Sequence, residues 1–364
     1  MELEILKSMY KINSKSGQED ELKMYLYEIL STEPFKSTCV VQEDKKGNMY
    51  ITKGVYSKYP CFVAHLDEVH TPLKHGFDVI EHKGILFGFS KHTKHSTGIG
   101  ADDKNGIFVC LNMLEKLAYC KVAWFVEEET GCQGSSKADM DFFTDCLWVV
   151  QPDRKGAGDL ITKISYRDIC STKFRKDVMK IAKNYGYKPE NGMMTDVETL
   201  VDNGIGISCV NMSCGYYYPH SDNECTDIDE LSNCINFCWD IAITLTERYP
   251  HVPEKKKSYY NYYDDYVWNN LTKSWDYKDY RKEEYNGGKL VTRAGRQFRM
   301  YGTKGNPWYQ EISTKRWYTE IEMPKEPVVQ RPSKPDFDAI PCNSCRNNFD
   351  CMNCDWYNTE QRMD

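Results

Sequence analysis

The stretch "GIGADDKNGIFVCLNMLEKLA", residues 98–118, joins a glycine-rich lead-in, two adjacent acids and an apolar run with helical spacing. The apolar positions from Ile107 onward recur as on a buried helix, expected to start near Asn105. Asp102 and Asp103 stand at its mouth. Helix capping accounts for one acid there, since a carboxylate satisfies free N–H groups and complements the helix dipole. It does not account for two. Neighbouring carboxylates repel each other, so positive charge is expected beside them, and two cations sharing a carboxylate would supply it.

Outward from this helix, apolar strand-like runs alternate with helical patterns. The strand-like runs are "CFVAHL" (61–66), "KVAWFVEE" (121–128), "CLWVVQ" (146–151) and "GIGISCVNM" (204–212). Further helical periodicity marks "DELKMYLYEIL" (20–30) and "IDELSNCINFCWDIAITLTERY" (228–249). Such alternation implies an α/β fold with a mixed, largely parallel central sheet and helices on both faces. Ligands in such sheets gather at the carboxyl ends of the strands. This domain is expected to span residues 1–250. A Tyr-rich linker is expected over 251–288, where residues 255–288 hold eight tyrosines and no clean period. A small irregular C-terminal region, 289–364, follows, its first part alternating like a β appendage.

Composition narrows the function classes. The chain has 364 residues, 40% of them hydrophobic, and a formal net charge of −7. That acidity argues against nucleic acid or an anionic membrane as a partner of the whole chain. No apolar run reaches the ~18 residues needed to span a bilayer. The N-terminus "MELEILKSMYK" lacks a basic segment followed by an apolar one, so no signal peptide is expected and the reading is cytoplasmic. The 16 cysteines are accordingly expected to be reduced. Residues 279–317 carry nine Lys/Arg against four Asp/Glu, with tyrosines and tryptophans interleaved. That stretch could grip single-stranded nucleic acid or a protein, although a solvated appendage is the plainer reading.

Five polar clusters follow apolar strands or sit in glycine-rich turns. "VAHLDEV" places His65 at a strand end with Asp67 two residues on; "GADDK" carries Asp102; "WFVEEETGCQGS" carries Glu127, Glu128 and Glu129; "WVVQPDRKG" carries Asp153 and Arg154; "CGYYYPHSDNE" carries His220. Each alone has a plain structural reading as a surface histidine, a cap, a solvated charge run or a turn. Together, two imidazoles and three carboxylates suit a pair of divalent cations of the zinc type. A neighbouring glutamate would meet the need of hydrolysis for a general base.

These motifs resemble the clan of co-catalytic dizinc exopeptidases and amidohydrolases, most of all the group of peptidase T and the glutamate carboxypeptidases. The likeness rests on "AHLDEV", "GADDKNG", "EEETG" and "GYYYPHSDNE", with "SKSGQEDELKMYLYEIL" as the first turn and helix and "MMTDVETLVDNGIGISCVNMSCG" before the last ligand. It implies that Asp102 bridges two Zn2+ ions, that His65 and Asp153 complete one site, and that Glu129 and His220 complete the other. It implies Asp67 as the group orienting His65, Glu128 as the general base for a metal-bridging water, and a cis peptide after Asp102. One of Tyr216, Tyr217 and Tyr218 is a candidate oxyanion donor. Arg154 is a candidate for binding a substrate carboxylate. Only 67 residues separate Asp153 from His220 and 37 separate His65 from Asp102. These intervals leave no room for a dimerisation lid or an inserted domain, so the oligomeric state stays open.

The C-terminal "PCNSCRNNFDCMNCDW" holds Cys342, Cys345, Cys351 and Cys354, two C-x-x-C pairs. Four thiolates so spaced suit a third, structural Zn2+. The leading expectation is a metal-dependent hydrolase of a terminal bond in a short peptide. A deacylase acting on a small N-acyl compound would use the same residues. A non-enzymatic protein binding through its C-terminal zinc module is the alternative from another class.

Overall fold

The computed structural model describes residues 2–254 and, beyond them, segments 266–269, 274–277, 284–293, 296–303, 306–314 and 317–319. The chain divides into two compact units, Met1–Lys256 and Lys257–Asp364.

The first unit opens with α1 (Leu3–Lys11), α2 (Asp20–Leu30) and a short α3 (Phe35–Thr38). Strands β1 (Cys39–Glu43), β2 (Met49–Lys53) and β3 (Tyr59–His65) follow, then a hairpin region of β4 (Asp78–His82), β5 (Ile85–Ser90) and β6 (His95–Thr97). Helix α4 (Ala101–Lys116) leads to β7 (Cys120–Phe125), β8 (Cys146–Arg154), β9 (Asp159–Ile164) and β10 (Arg167–Asp168). After α5 (Thr172–Ala182) come β11 (Lys188–Gly192), α6 (Asp196–Asp202), β12 (Cys209–Ser213), β13 (Tyr216–Tyr217), β14 (Cys225–Asp227) and the long α7 (Ile228–Thr244).

The principal sheet runs β1-β2-β7-β3-β8-β12-β9-β10, with β11 also paired to β9. Its centre, β7-β3-β8-β12, is parallel, while β1, β2, β9 and β10 close the flanks through antiparallel pairs. This is the mixed sheet with a parallel centre that the alternating pattern implies. A smaller sheet, β13-β14-β5-β4 with β6 on β5, lies beside it in the same unit.

The parallel strands are largely apolar because both faces are covered. Phe62 and Ala64 of β3, Val122 and Trp124 of β7, and Trp148 and Val150 of β8 join one core with residues of α1, α2, α4, α5 and α7. Their alternates Cys61, Val63, Ala123, Phe125 and Val149 join a second core with Val197, Leu200 and Val201 of α6. Side chains on a strand alternate between faces, so a continuous apolar run feeds both cores. Ile107 to Leu114 of α4 are buried without a break, polar Asn112 included. The helix is therefore central to its layer. The twelve described cysteines are all free, ten of them buried as small apolar groups.

In the second unit, β15 (Tyr266–Asn269) pairs with β16 (Ser274–Tyr277). Strands β17 (Glu284–Arg293), β18 (Arg296–Thr303), β19 (Asn306–Glu311) and β20 (Trp317–Thr319) form an antiparallel sheet in sequence order. The stretch read as linker thus contains a hairpin and the start of a strand. Its Tyr, Val and Trp residues favour extended backbone, a signal that the absence of a clean period hid. Cys342, Cys345, Cys351 and Cys354 lie outside the described residues.

Candidate metal centre

Parallel pairing puts the carboxyl ends of β3, β7 and β8 on one edge. His65 pairs with Phe125 across β3 and β7, so the chain leaving β7 delivers Glu127 to Glu129 beside it. Asp153 closes β8 on His65's other side. Asp102 arrives at the mouth of α4, and His220 follows β13.

The five expected ligands converge. His65 Nε2 lies 3.2 Å from Asp102 Oδ1 and 3.5 Å from Asp153 Oδ1. His220 Nε2 lies 3.4 Å from Asp102 Oδ2 and 2.9 Å from Glu129 Oε1. Asp102 therefore presents one oxygen to each imidazole. Donor atoms of His65, Glu128 and Glu129 also come within 4.8 Å of one another, as do those of Asp102, Glu129 and His220. The Asp102–Asp103 peptide bond is cis.

The donor set fits a bound cation. His65 Nδ1 lies 2.9 Å from the main-chain carbonyl of Asp67, which can only accept, so Nδ1 carries a hydrogen. In the neutral ring the Nε2 lone pair then faces two carboxylate oxygens. Only positive charge between them, a proton or a cation, reconciles that geometry.

The electrostatics of the cluster lead to the same conclusion. Burial pushes Asp153 up to about 8. Burial, then the neighbouring Asp196, Asp153 and Glu129, pushes Glu128 well above the usual carboxylate range. Burial and Asp102 raise Glu129. Burial opposes ionisation of Asp102, yet the two imidazoles outweigh it and hold this group low. Asp102 and Glu129 hold His220 up at about 11. In His65 burial opposes the charge, but Asp153 and Asp102 raise it well above its ordinary value. The two histidines thus supply the positive charge that the acids demand, a part that divalent cations would fill more completely.

Around these groups lies a second set of contacts. Asp67 Oδ1 accepts from Glu128 N at 2.8 Å, and Oδ2 accepts from Glu129 N at 3.1 Å and from Ser16 Oγ at 2.7 Å. The imidazole of His65 is 3.4 Å from this carboxylate, farther than from the carbonyl. Asp67's side chain therefore chiefly holds the Glu128–Glu129 loop, and its main chain orients His65. Glu19 of the "SGQE" turn accepts from Glu127 N at 3.1 Å. Gln151 Nε2 and Thr195 Oγ1 donate to Asp153 Oδ2 at 2.9 and 3.1 Å, leaving Oδ1 for the site. Glu127, Cys132, Tyr218 and His220, in the two loops that line the centre, all have positive φ, uncommon for residues with a Cβ.

The other candidates separate. Tyr216 is buried, Tyr217 donates to Glu230 Oε2 at 2.6 Å, and Tyr218, 66% exposed, is the tyrosine left free to face solvent. Arg154 Nε donates to Asp159 at 2.7 Å, so an acid of its own chain already engages it. Sequence reasoning missed Asp196, Gln151, Glu224 and the buried pair of Glu68 with Lys104, 3.0 Å apart. Asp196 is fully buried and pushed up to about 7 by that burial. The motifs "DEV", "DDK" and "TDVE" contained several of these residues, but nothing in them told which acids face the centre.

Residues 87–237 match the family of M42 glutamyl aminopeptidases. That span runs from within β5 to within α7 and includes Asp102, Glu128, Glu129, Asp153 and His220, while His65 precedes it. The match agrees with the expected exopeptidase clan. No curated protein matches the chain in sequence. Among solved structures, aminopeptidase PepT from Bacillus cereus is 13% identical with a TM-score of 0.55, over 67% of this chain and 98% of that one. A TET aminopeptidase from a marine-sediment thaumarchaeote is 14% identical with a TM-score of 0.52, over 67% and 97%. A Staphylococcus aureus tripeptidase is 15% identical with a TM-score of 0.51, over 67% and 97%. At these identities the likeness is one of fold.

Proposed function

We propose that the chain is a metal-dependent aminopeptidase that removes the first residue of a short peptide. The observation that carries this reading is Asp102, with one oxygen on each imidazole and with Asp153, Glu129 and Glu128 around it. His65, Asp102 and Asp153 would hold one divalent cation, and Asp102, Glu129 and His220 the other, with zinc the metal best suited to this mixed donor set. When bound, the cations supply Lewis-acid polarisation of the scissile carbonyl and acidify water.

The chain's own residues do the rest. Glu128 takes the proton of the attacking water and returns it to the leaving amine. Asp67 holds the main chain of Glu128 and Glu129, so base and ligand keep their separation. Tyr218, at the exposed rim, is the candidate to donate to the oxyanion. Arg154, the cation beside Asp153, is engaged by Asp159, which supports cleavage from the amino end over recognition of a terminal carboxylate. Among the described residues no helix is long and apolar enough to cross a membrane.

The test is a panel of di- and tripeptides, their N-acetylated forms and N-acyl amino acids, incubated with Zn2+-, Co2+- or Mn2+-loaded protein whose metal content is measured. Free-amino peptides are expected to be cleaved and N-acetylated ones spared. Cleavage confined to N-acyl amino acids would replace the reading with a deacylase. Protein that binds no divalent ion and cleaves nothing would remove it.

A further inference from the structure

We infer that Glu224 is a positioning residue for this centre: its carboxylate fixes the main chain leading into Asp102, so that the two Asp102 oxygens face the two imidazoles. The inference rests on the proposed metal centre and extends it to a residue four positions beyond His220.

Glu224 is buried to 1% exposure. Its Oε2 accepts from Ile99 N at 2.9 Å and Gly100 N at 2.7 Å, and its Oε1 accepts from Asp102 N at 3.1 Å. His70 Nε2 is 2.9 Å from Oε2. Three main-chain N–H groups within four residues thus end on one carboxylate, in charge-assisted bonds that are stronger than neutral ones.

These bonds matter because α4 does not itself fix Asp102. Its first turn departs from helical geometry at Asp102 (φ −82°, ψ 97°) and Asp103 (φ −123°, ψ 38°). The segment is wedged from both sides instead. A Cβ on Gly98 would lie 2.0 Å from the His70 ring, and one on Gly100 would lie 1.8 Å from Glu68 Oε2. Gly100 also has φ +61°, a conformation glycine adopts without penalty. Glu68 is held by Lys104 and by the Ser14 main chain, 3.0 Å away. The "GIGA" lead-in is thus threaded between two buried carboxylates. The short loop 220–224 grips Asp102 at both ends: His220 at its Oδ2 and Glu224 at its main-chain nitrogen.

The test is Glu224→Gln, which keeps shape and volume. Its amide has one oxygen, so its NH2 must oppose the N–H of Asp102 or those of Ile99 and Gly100. In metal-free protein, amide exchange in a peptide covering 98–103 is expected to accelerate at least tenfold, with the remaining exchange pattern and circular dichroism unchanged. Titration of metal-free protein with Zn2+ is expected to show one of two ions bound 10- to 100-fold more weakly, the range typical when a partner of a metal ligand is lost. At saturating metal, kcat is expected to fall while KM stays within twofold. Wild-type exchange at 98–103, wild-type affinity for both ions and unchanged kcat would overturn the inference. If Glu224→Gln does not fold, Glu224→Asp serves: its shorter carboxylate cannot hold all three N–H groups at once, so it is expected to accelerate exchange at 98–103 and to weaken the same ion at least threefold. Unchanged exchange and affinity in that variant would overturn the inference equally. Wild-type protein that takes up no divalent ion would instead overturn the proposed function.

Discussion

Replacing Asp67 with Asn separates two roles that the sequence merges. The Asp67 carboxylate receives the N–H of Glu128 on one oxygen, and the N–H of Glu129 and the hydroxyl of Ser16 on the other. All three partners donate there. An amide offers one oxygen, so in either orientation its NH2 faces a donor and a buried N–H loses its acceptor. That loss costs about 1–3 kcal/mol, or about 5- to 150-fold in how well the loop is held in place. The imidazole of His65 is affected less, because its Nδ1 bonds at 2.9 Å to the Asp67 carbonyl, which no side-chain change removes, and lies 3.4 Å from the carboxylate. Asp67→Asn is therefore expected to lower kcat by about 5- to 150-fold while metal uptake at His65 and Asp153 changes little. Steady-state kinetics at saturating metal, paired with metal titration of the metal-free variant, read the two effects separately. A variant with wild-type kcat but a lost metal ion would refute the reasoning and restore the carboxylate to the role of His65's orienting group.

Two further outcomes are expected. Glu128→Gln should retain both metals and lose about 10²- to 10⁴-fold in kcat, whereas retained turnover would take Glu128 out of the base role. Trp148 is fully buried with its ring edge-on to Phe62 at 5.6 Å, and its Nε1 donates to Leu245 O at 2.8 Å; Trp148→Ala should cost about 3–5 kcal/mol and lower the melting midpoint by about 6–20 °C. A midpoint within about 2 °C of wild type would show that this side of the core does not depend on that ring.

Three of the five convergent side chains, His65, Glu129 and Asp153, and the parallel centre of the sheet were legible in the chain for one physical reason. A strand buried on both faces must be apolar until it ends, so a polar residue at its end stands out against the run before it. His65 after "CFVA", Glu128 and Glu129 after "VAWFV", and Asp153 after "LWVVQ" all carry that contrast. Glu224, Asp196 and the Glu68–Lys104 pair do not. Their partners are main-chain N–H groups, or side chains far away in sequence, and main-chain groups have no letter in the sequence. The same blindness explains Asp67. The sequence shows a carboxylate two residues from His65 and suggests a contact between side chains, whereas the folded strand end puts the Asp67 carbonyl closer. In the second unit, tyrosine-rich composition suggested an irregular linker, but pairing between extended segments does not need a clean apolar period.

The adjacent acids at the mouth of α4 divide their work. Asp103 turns inward: its Oδ1 accepts from Gly106 N at 2.9 Å and its Oδ2 from His65 N at 3.3 Å, which makes it the cap of the helix and a clasp on β3. Asp102 turns outward to His65 and His220. Capping was thus a sound reading for one acid and an insufficient one for the other, as their separate partners now show. Because Asp103 bonds the main chain of His65 while Asp102 faces its ring, one imidazole is located from behind and in front by consecutive residues. A shift of this turn would then displace the His65 ring of β3 and the Asp102 carboxylate of α4 together. That coupling is a physical reason to fasten the turn with Glu224 and Glu68 rather than leave it to the helix that follows.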